Sequence, residues 1–120
     1  MPVRGIRGAT VCVSNTAADI LSATTDCLAA ILEENAVNIS DIASVFFSVT
    51  PDLNAAFPAA AAREMGLVHT PLLCLNEINV PGGLPQCIRI LVHVNTETAQ
   101  ALIQHIYLGD AKQLRPDHNV

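Results

Sequence analysis

The sequence predicts an α+β fold, a mixed β-sheet with helices on one face, and three observations carry that expectation. In the run from Cys87 to Val94, Ile88, Ile90, Val92 and Val94 alternate with Cys87, Arg89, Leu91 and His93, which is the period of a strand. Ile20, Leu21, Thr24, Leu28, Ile31 and Leu32 fall on one stripe, which is the period of a helix. The whole chain reads strand, helix, strand, helix, strand, strand, strand, too few helices to cover both faces of a sheet. Oligomerisation through the uncovered face is the economical expectation.

Each element has a local reason. Val3 to Val13 alternates loosely and holds Gly5 and Gly8, which suits a strand approached closely by backbone or ligand. Arg4 and Arg7 are an odd number of residues apart, so a regular strand sends them to opposite faces. Thr16-Ala-Ala-Asp19 resembles a capping box, and the apolar stripe after it is core. Glu33-Glu34-Asn35 ends that helix, and Asn38 to Ile42 adds a short helical turn. Ser44 to Thr50 is a strand by composition, and Thr50-Pro51-Asp52-Leu53-Asn54 breaks it. Pro58 suits a helix start, Ala59 to Met65 continues the helix with Arg63 on it, and Gly66 stops it.

From Leu72 to Val94 two apolar runs flank Val80-Pro81-Gly82-Gly83-Leu84-Pro85, which reads as a hairpin. The first run carries Glu77 and the second Arg89. Period two sends Arg89 to the face opposite the Ile/Val row, where a charge is costly unless neutralised. Its partner is either Glu77 across the hairpin or an anionic ligand, and the pattern alone leaves both open. Asn95 to Thr98 opens a connection or short helix, and Ile103 to Leu108, with Tyr107, reads as the last strand. The tail from about residue 116 reads as frayed.

A chain of 120 residues suits one domain, and 51% apolar with 14% charged residues suits a globular one. No apolar run approaches a membrane span and no basic-then-apolar leader opens the chain, so the expected location is the cytoplasm. A net charge of −5 argues against nucleic acid or an anionic membrane as partner. Five of the six positive residues are arginine (Arg4, Arg7, Arg63, Arg89 and Arg115), the side chain that grips carboxylates in a fork geometry. Cys12, Cys27, Cys74 and Cys87 show no C-x-x-C pair and no histidine at zinc spacing, so they read as small buried hydrophobes. Cys74 stays open because it lies three residues from Glu77. There is no nucleophile elbow, phosphate-cradling loop or metal cluster, and His69, His93, His105 and His118 are scattered. No cofactor is expected. What remains are hydrogen-bonding and electrostatic groups.

Six collinear blocks carry a resemblance. Val3-Arg4-Gly5-Ile6-Arg7-Gly8-Ala9-Thr10, Thr50-Pro51-Asp52-Leu53 with Phe57-Pro58-Ala59, and Cys74-Leu75-Asn76-Glu77 are the first three. Gly82-Gly83-Leu84 with Cys87-Ile88-Arg89, His105-Ile106-Tyr107-Leu108, and Leu114-Arg115-Pro116-Asp117 complete them. Together they resemble the AroH-type chorismate mutases over essentially the whole chain. The resemblance implies a homotrimeric pseudo-α/β barrel, active sites in clefts between subunits, and conversion of chorismate to prephenate without a cofactor.

By resemblance, Arg89 stands at the ether oxygen of the substrate. Arg7 clamps the side-chain carboxylate with the hydroxyl of Tyr107, Glu77 accepts from the ring hydroxyl, and Cys74 sits beside the ring. Phe57 and Ala59 supply apolar contact, and Arg63 and Arg115 flank the cleft mouth. Leu72, Leu73, Leu75, Asn76 and Leu114 are further implied substrate contacts. Two positions depart from the family pattern: Ala60, where some members carry a longer charged side chain, and Leu73, where a hydroxyl can occur. Cys74 and Glu77 are three apart, so an unbroken strand faces them opposite ways: either the strand kinks and both line one cleft, or, as the favoured expectation, they serve two different clefts of the trimer. Two other classes stay open on the same scaffold: a non-catalytic trimer binding small carboxylates, and a trimeric hydrolase or deaminase acting on imines or enamines.

Overall fold

The computed structural model describes residues 1–114. Alternating side chains make β1 (Val3–Val11) and β4 (Cys87–Asn95), which pair antiparallel from Val3 opposite Asn95 to Val11 opposite Cys87. β2 (Ile42–Val49) pairs antiparallel with the other edge of β4, with an irregularity between Ile42 and Ser44. β3 (Leu72–Asn76) runs parallel to β2, and the two-residue β5 (Ile106–Tyr107) runs parallel to β1. The sheet is mixed, in the order β3-β2-β4-β1-β5.

That order corrects the hairpin expectation. β3 and β4 are consecutive in sequence, but β2 lies between them. The turn itself forms, with the Gly83 N–H donating to the Val80 carbonyl at 3.0 Å and Gly82 at φ +82, a conformation that glycine adopts freely. A turn reverses the chain without choosing the strand's neighbour, and here the long apolar ladder of β2 occupies that edge of β4.

The helices pack on one face. α1 (Ala17–Glu34) starts at Thr16, whose Oγ1 accepts the Asp19 N–H at 3.2 Å. Only half of the capping box forms, because the Asp19 carboxylate accepts from Ser14 Oγ at 2.5 Å. α1 buries Ile20, Thr24, Cys27, Leu28 and Ile31 against the sheet. A Cβ on Gly8 would stand 2.4 Å from Ile31 Cδ1, so the helix reaches the strand only because Gly8 has none. α2 (Ala59–Glu64) follows Pro58, and the chain leaves it at Gly66 with φ +106. Ala59 and Ala62 join Val45, Phe47, Ile88, Ile90, Val92 and Val94 in the core, each large apolar side chain contributing about 1.5–3 kcal/mol on burial.

The last strand is shorter than the sequence suggests. Side-chain partners claim its expected first residues: Asn35 exchanges hydrogen bonds with the backbone N–H and carbonyl of Gln104 at 2.8 and 2.9 Å. A 3-10 turn at Gln100–Leu102 precedes β5 and another at Gly109–Leu114 follows it. Arg115 and the tail expected to fray lie outside the described residues. Among the described residues no helix is long and apolar enough to cross a membrane. The sheet face away from the helices carries Leu73 and Leu75, about half exposed, beside half-buried Phe46 and Leu91.

Candidate active site

Strand register assembles the site. One row across the open face runs Tyr107, Ala9, Arg89, Ser48, Leu75, one residue from each strand. The adjacent row runs Arg7, Leu91, Phe46, Leu73. Period two therefore brings Arg7, Arg89 and Tyr107 to one surface although they are far apart in sequence. Glu77 joins them just past β3: its N–H donates to the Val49 carbonyl at 2.8 Å, and its Oε1 accepts from the Ser48 hydroxyl. Arg7, Glu77, Arg89, Tyr107 and Leu114 line a single open cleft of about 540 Å³, with Leu75 and Phe46 as apolar wall.

The Arg89–Glu77 pair exists, but not as a buried pair across a hairpin. Arg89 Nε lies 3.7 Å from Glu77 Oε1, too long for a hydrogen bond, and the two side chains are 45% and 23% exposed. A partly exposed pair of this kind contributes about 0–1 kcal/mol. It does not consume the guanidinium, so the register leaves Arg89 able to take an anion. Arg89 and Glu77 also line a second cleft of about 660 Å³, roofed by the turn after β3 and floored by Thr50 and Asp52.

Neighbouring groups hold these side chains in place. His105 Nδ1 accepts the Arg7 N–H at 3.0 Å, which fixes the neutral ring with its proton on Nε2. Burial, with the Arg7 charge second, lowers the His105 pKa below the ordinary histidine value. Burial raises the Cys87 thiol, against the opposing influence of Arg89 on the same strand face. Cys12 is pushed up to about 11 and Cys27 to about 12, in both cases chiefly by burial, so both stay protonated thiols. All four cysteines are free.

The remaining candidates lie elsewhere on the chain. Cys74 pairs with Phe47 on the helix face, opposite to Leu75 and Glu77. It lines a separate cleft of about 400 Å³ with Phe57, Pro58 and Asn76. Phe57 is 73% exposed there. Leu72 packs partly into the core, and Ala59 is buried in it. Arg63 stands exposed on α2. The site residues thus divide into two sets on one chain. Ser48 is the residue that sequence reasoning missed, although Ser44, Phe46 and Ser48 alternating with Val45, Phe47 and Val49 was a usable signal. No group of three or more His, Cys, Asp or Glu among the described residues could hold a metal.

The sequence model of the family described as chorismate mutase type I matches residues 3–118. A protein named chorismate mutase AroH from Thermus thermophilus is 47% identical over 116 residues, 96% of this chain and 95% of its own length. Another of that name from Bacillus subtilis strain 168 is 44% identical over 118 residues, 98% of this chain and 93% of its own. Among solved structures, a chorismate mutase from Clostridium thermocellum superposes with a TM-score of 0.89 at 50% identity, covering 90% of this chain and 96% of the other.

Proposed function

The chain belongs to the chorismate mutase type I family, and on that premise we propose that it is the isomerase that converts chorismate to prephenate in aromatic amino-acid biosynthesis. The observation that carries the mechanism is the row on the open sheet face, where Arg89 stands between Tyr107 and Ser48 with Arg7 and Glu77 beside it. The substrate is a flexible dicarboxylate that rearranges by itself. An ether C–O bond breaks as a C–C bond forms, and negative charge develops on the ether oxygen. An enzyme accelerates this by holding the folded conformer and placing a fixed cation at that oxygen.

Each side chain then has one task. Arg89 stabilises the ether oxygen, and Arg7 with the Tyr107 hydroxyl grips the side-chain carboxylate. Glu77 accepts from the ring hydroxyl, itself oriented by Ser48. The division of the site into two sets supports a homotrimer, in which the open faces pack around a common axis as a pseudo-α/β barrel. Each cleft then joins Arg7, Glu77, Arg89, Tyr107 and Leu114 of one copy to Phe57, Arg63 and Cys74 of its neighbour. Leu73, Leu75 and Asn76 complete the contacts. The chain is a single domain from residue 1 to 120 in this reading, working in the cytoplasm, where four free thiols stay reduced. Purified protein mixed with chorismate should consume it and form prephenate. Binding without turnover would instead identify a small-carboxylate-binding protein.

A further inference from the structure

We propose that Asp52 is a positioning residue for Arg89, acting through a clamp on the strained backbone of Gln86; the role rests on the functional reading above. Gln86 has φ +50, the left-handed region that a residue with a Cβ rarely adopts. It immediately precedes β4 and lies three residues before Arg89. Such a conformation persists only where its surroundings hold it.

The surroundings do so at both ends. The Gln86 N–H donates to Asp52 Oδ2 at 2.9 Å, and the Gln86 carbonyl accepts the Cys12 N–H at 2.8 Å. The next residue is held as well: the Cys87 N–H donates to Thr50 Oγ1 at 2.9 Å, and its carbonyl accepts the Thr50 N–H at 3.0 Å. The Thr50 hydroxyl in turn donates to Asp52 Oδ1. One carboxylate therefore fastens the amide of Gln86 directly and that of Cys87 through Thr50. Ile88 and Ile90, on the other face of β4, are buried in the core. The clamp sets the backbone direction at Gln86 and Cys87, from which β4 enters the sheet and carries Arg89 two residues on. Asp52 itself is exposed at the rim of the cleft that Arg89 and Glu77 line.

The test is a set of variants assayed with chorismate alongside wild type, each checked for fold by circular dichroism. Asp52→Ala should lower kcat on the order of tenfold or more, with KM moving by less than about threefold, because a small misplacement of the cation is felt in the transition state. Adding Gln86→Gly removes the strain that the clamp opposes, so the double variant should recover most of the lost kcat. Asp52→Asn should be nearly as active as wild type. Its amide oxygen accepts from Gln86 and its NH2 reaches Thr50 Oγ1, while the Thr50 hydroxyl turns to the Cys87 carbonyl, already 3.4 Å away. If Asp52→Ala fails to fold, the double variant and Asp52→Asn carry the test.

Wild-type kcat in Asp52→Ala would overturn the proposal. So would a double variant no better than Asp52→Ala. An Asp52→Asn variant as impaired as the alanine form would mean that Asp52 acts by its charge, which also overturns it. Wild-type protein inactive on chorismate would defeat the functional reading and the positioning role together, whereas active wild type with unaffected variants defeats the clamp alone.

Discussion

At 45% side-chain exposure and 3.7 Å from the Glu77 carboxylate, Arg89 makes a weak pair within its own chain and has five N–H donors to offer. Arg89→Lys should therefore leave the fold intact and lower kcat by roughly 10²–10³-fold, since a point-charge ammonium on another stem misses the developing charge. Turnover measured beside circular dichroism checks it, and near-normal rates would remove the role assigned to the guanidinium. No group exchanges a proton in the reaction, so kcat should stay flat between about pH 6.5 and 8.5; a bell in that window would indicate acid–base chemistry. Stability should behave differently. His105 has a lowered pKa in the folded chain, so the unfolded chain binds the proton first. At high pH both states are neutral there and the residue adds nothing. As pH falls through the ordinary histidine value near 6.5, unfolding gains a proton and the fold loses stability. Thermal unfolding should show a drop between about pH 6.5 and 5 that His105→Gln reduces.

Among the elements, α1 shows how local rules are met and where they are bent. Its end closes with the Ala36 N–H on the Glu33 carbonyl at 3.2 Å and the Val37 N–H on the Leu32 carbonyl at 2.9 Å. This double closure requires a left-handed residue, usually glycine, yet Ala36 occupies it with φ +50. Ala36→Gly should raise stability by about 1 kcal/mol, measured by denaturant titration with unchanged turnover. The helix stripe, its Thr16 cap and the Pro58 and Gly66 punctuation of α2 were legible because each depends on residues within a few positions. The hairpin between β3 and β4 was misread because pairing is a competition among all strands, and β2 wins the edge of β4.

For the whole molecule, the open sheet face is the feature that demands a partner. Leu73, Leu75, Phe46 and Leu91 share it with the charged row, and no element among the described residues covers them. Three copies packed through it would bury this surface and close the clefts. Sedimentation should give three times the 12.7 kDa of one chain. Phe46→Glu should release folded single chains that have lost turnover, because a charge set between Leu91 and Leu73 on that face cannot be buried unpaired. Full activity from a monomeric wild type would rule out shared clefts.

The amino-acid sequence by itself determined the α+β class, the positions of both helices and the face to which Arg89 points. All of these follow from periodicity and from interactions between near neighbours. Only the tertiary structure decided that Tyr107, Ala9, Arg89, Ser48 and Leu75 form one row, and that Ser48 orients Glu77. It also decided that Asp52 holds Gln86. Strand order and register are set by burial and hydrogen bonding summed over the entire sheet, and no short stretch of residues contains that sum.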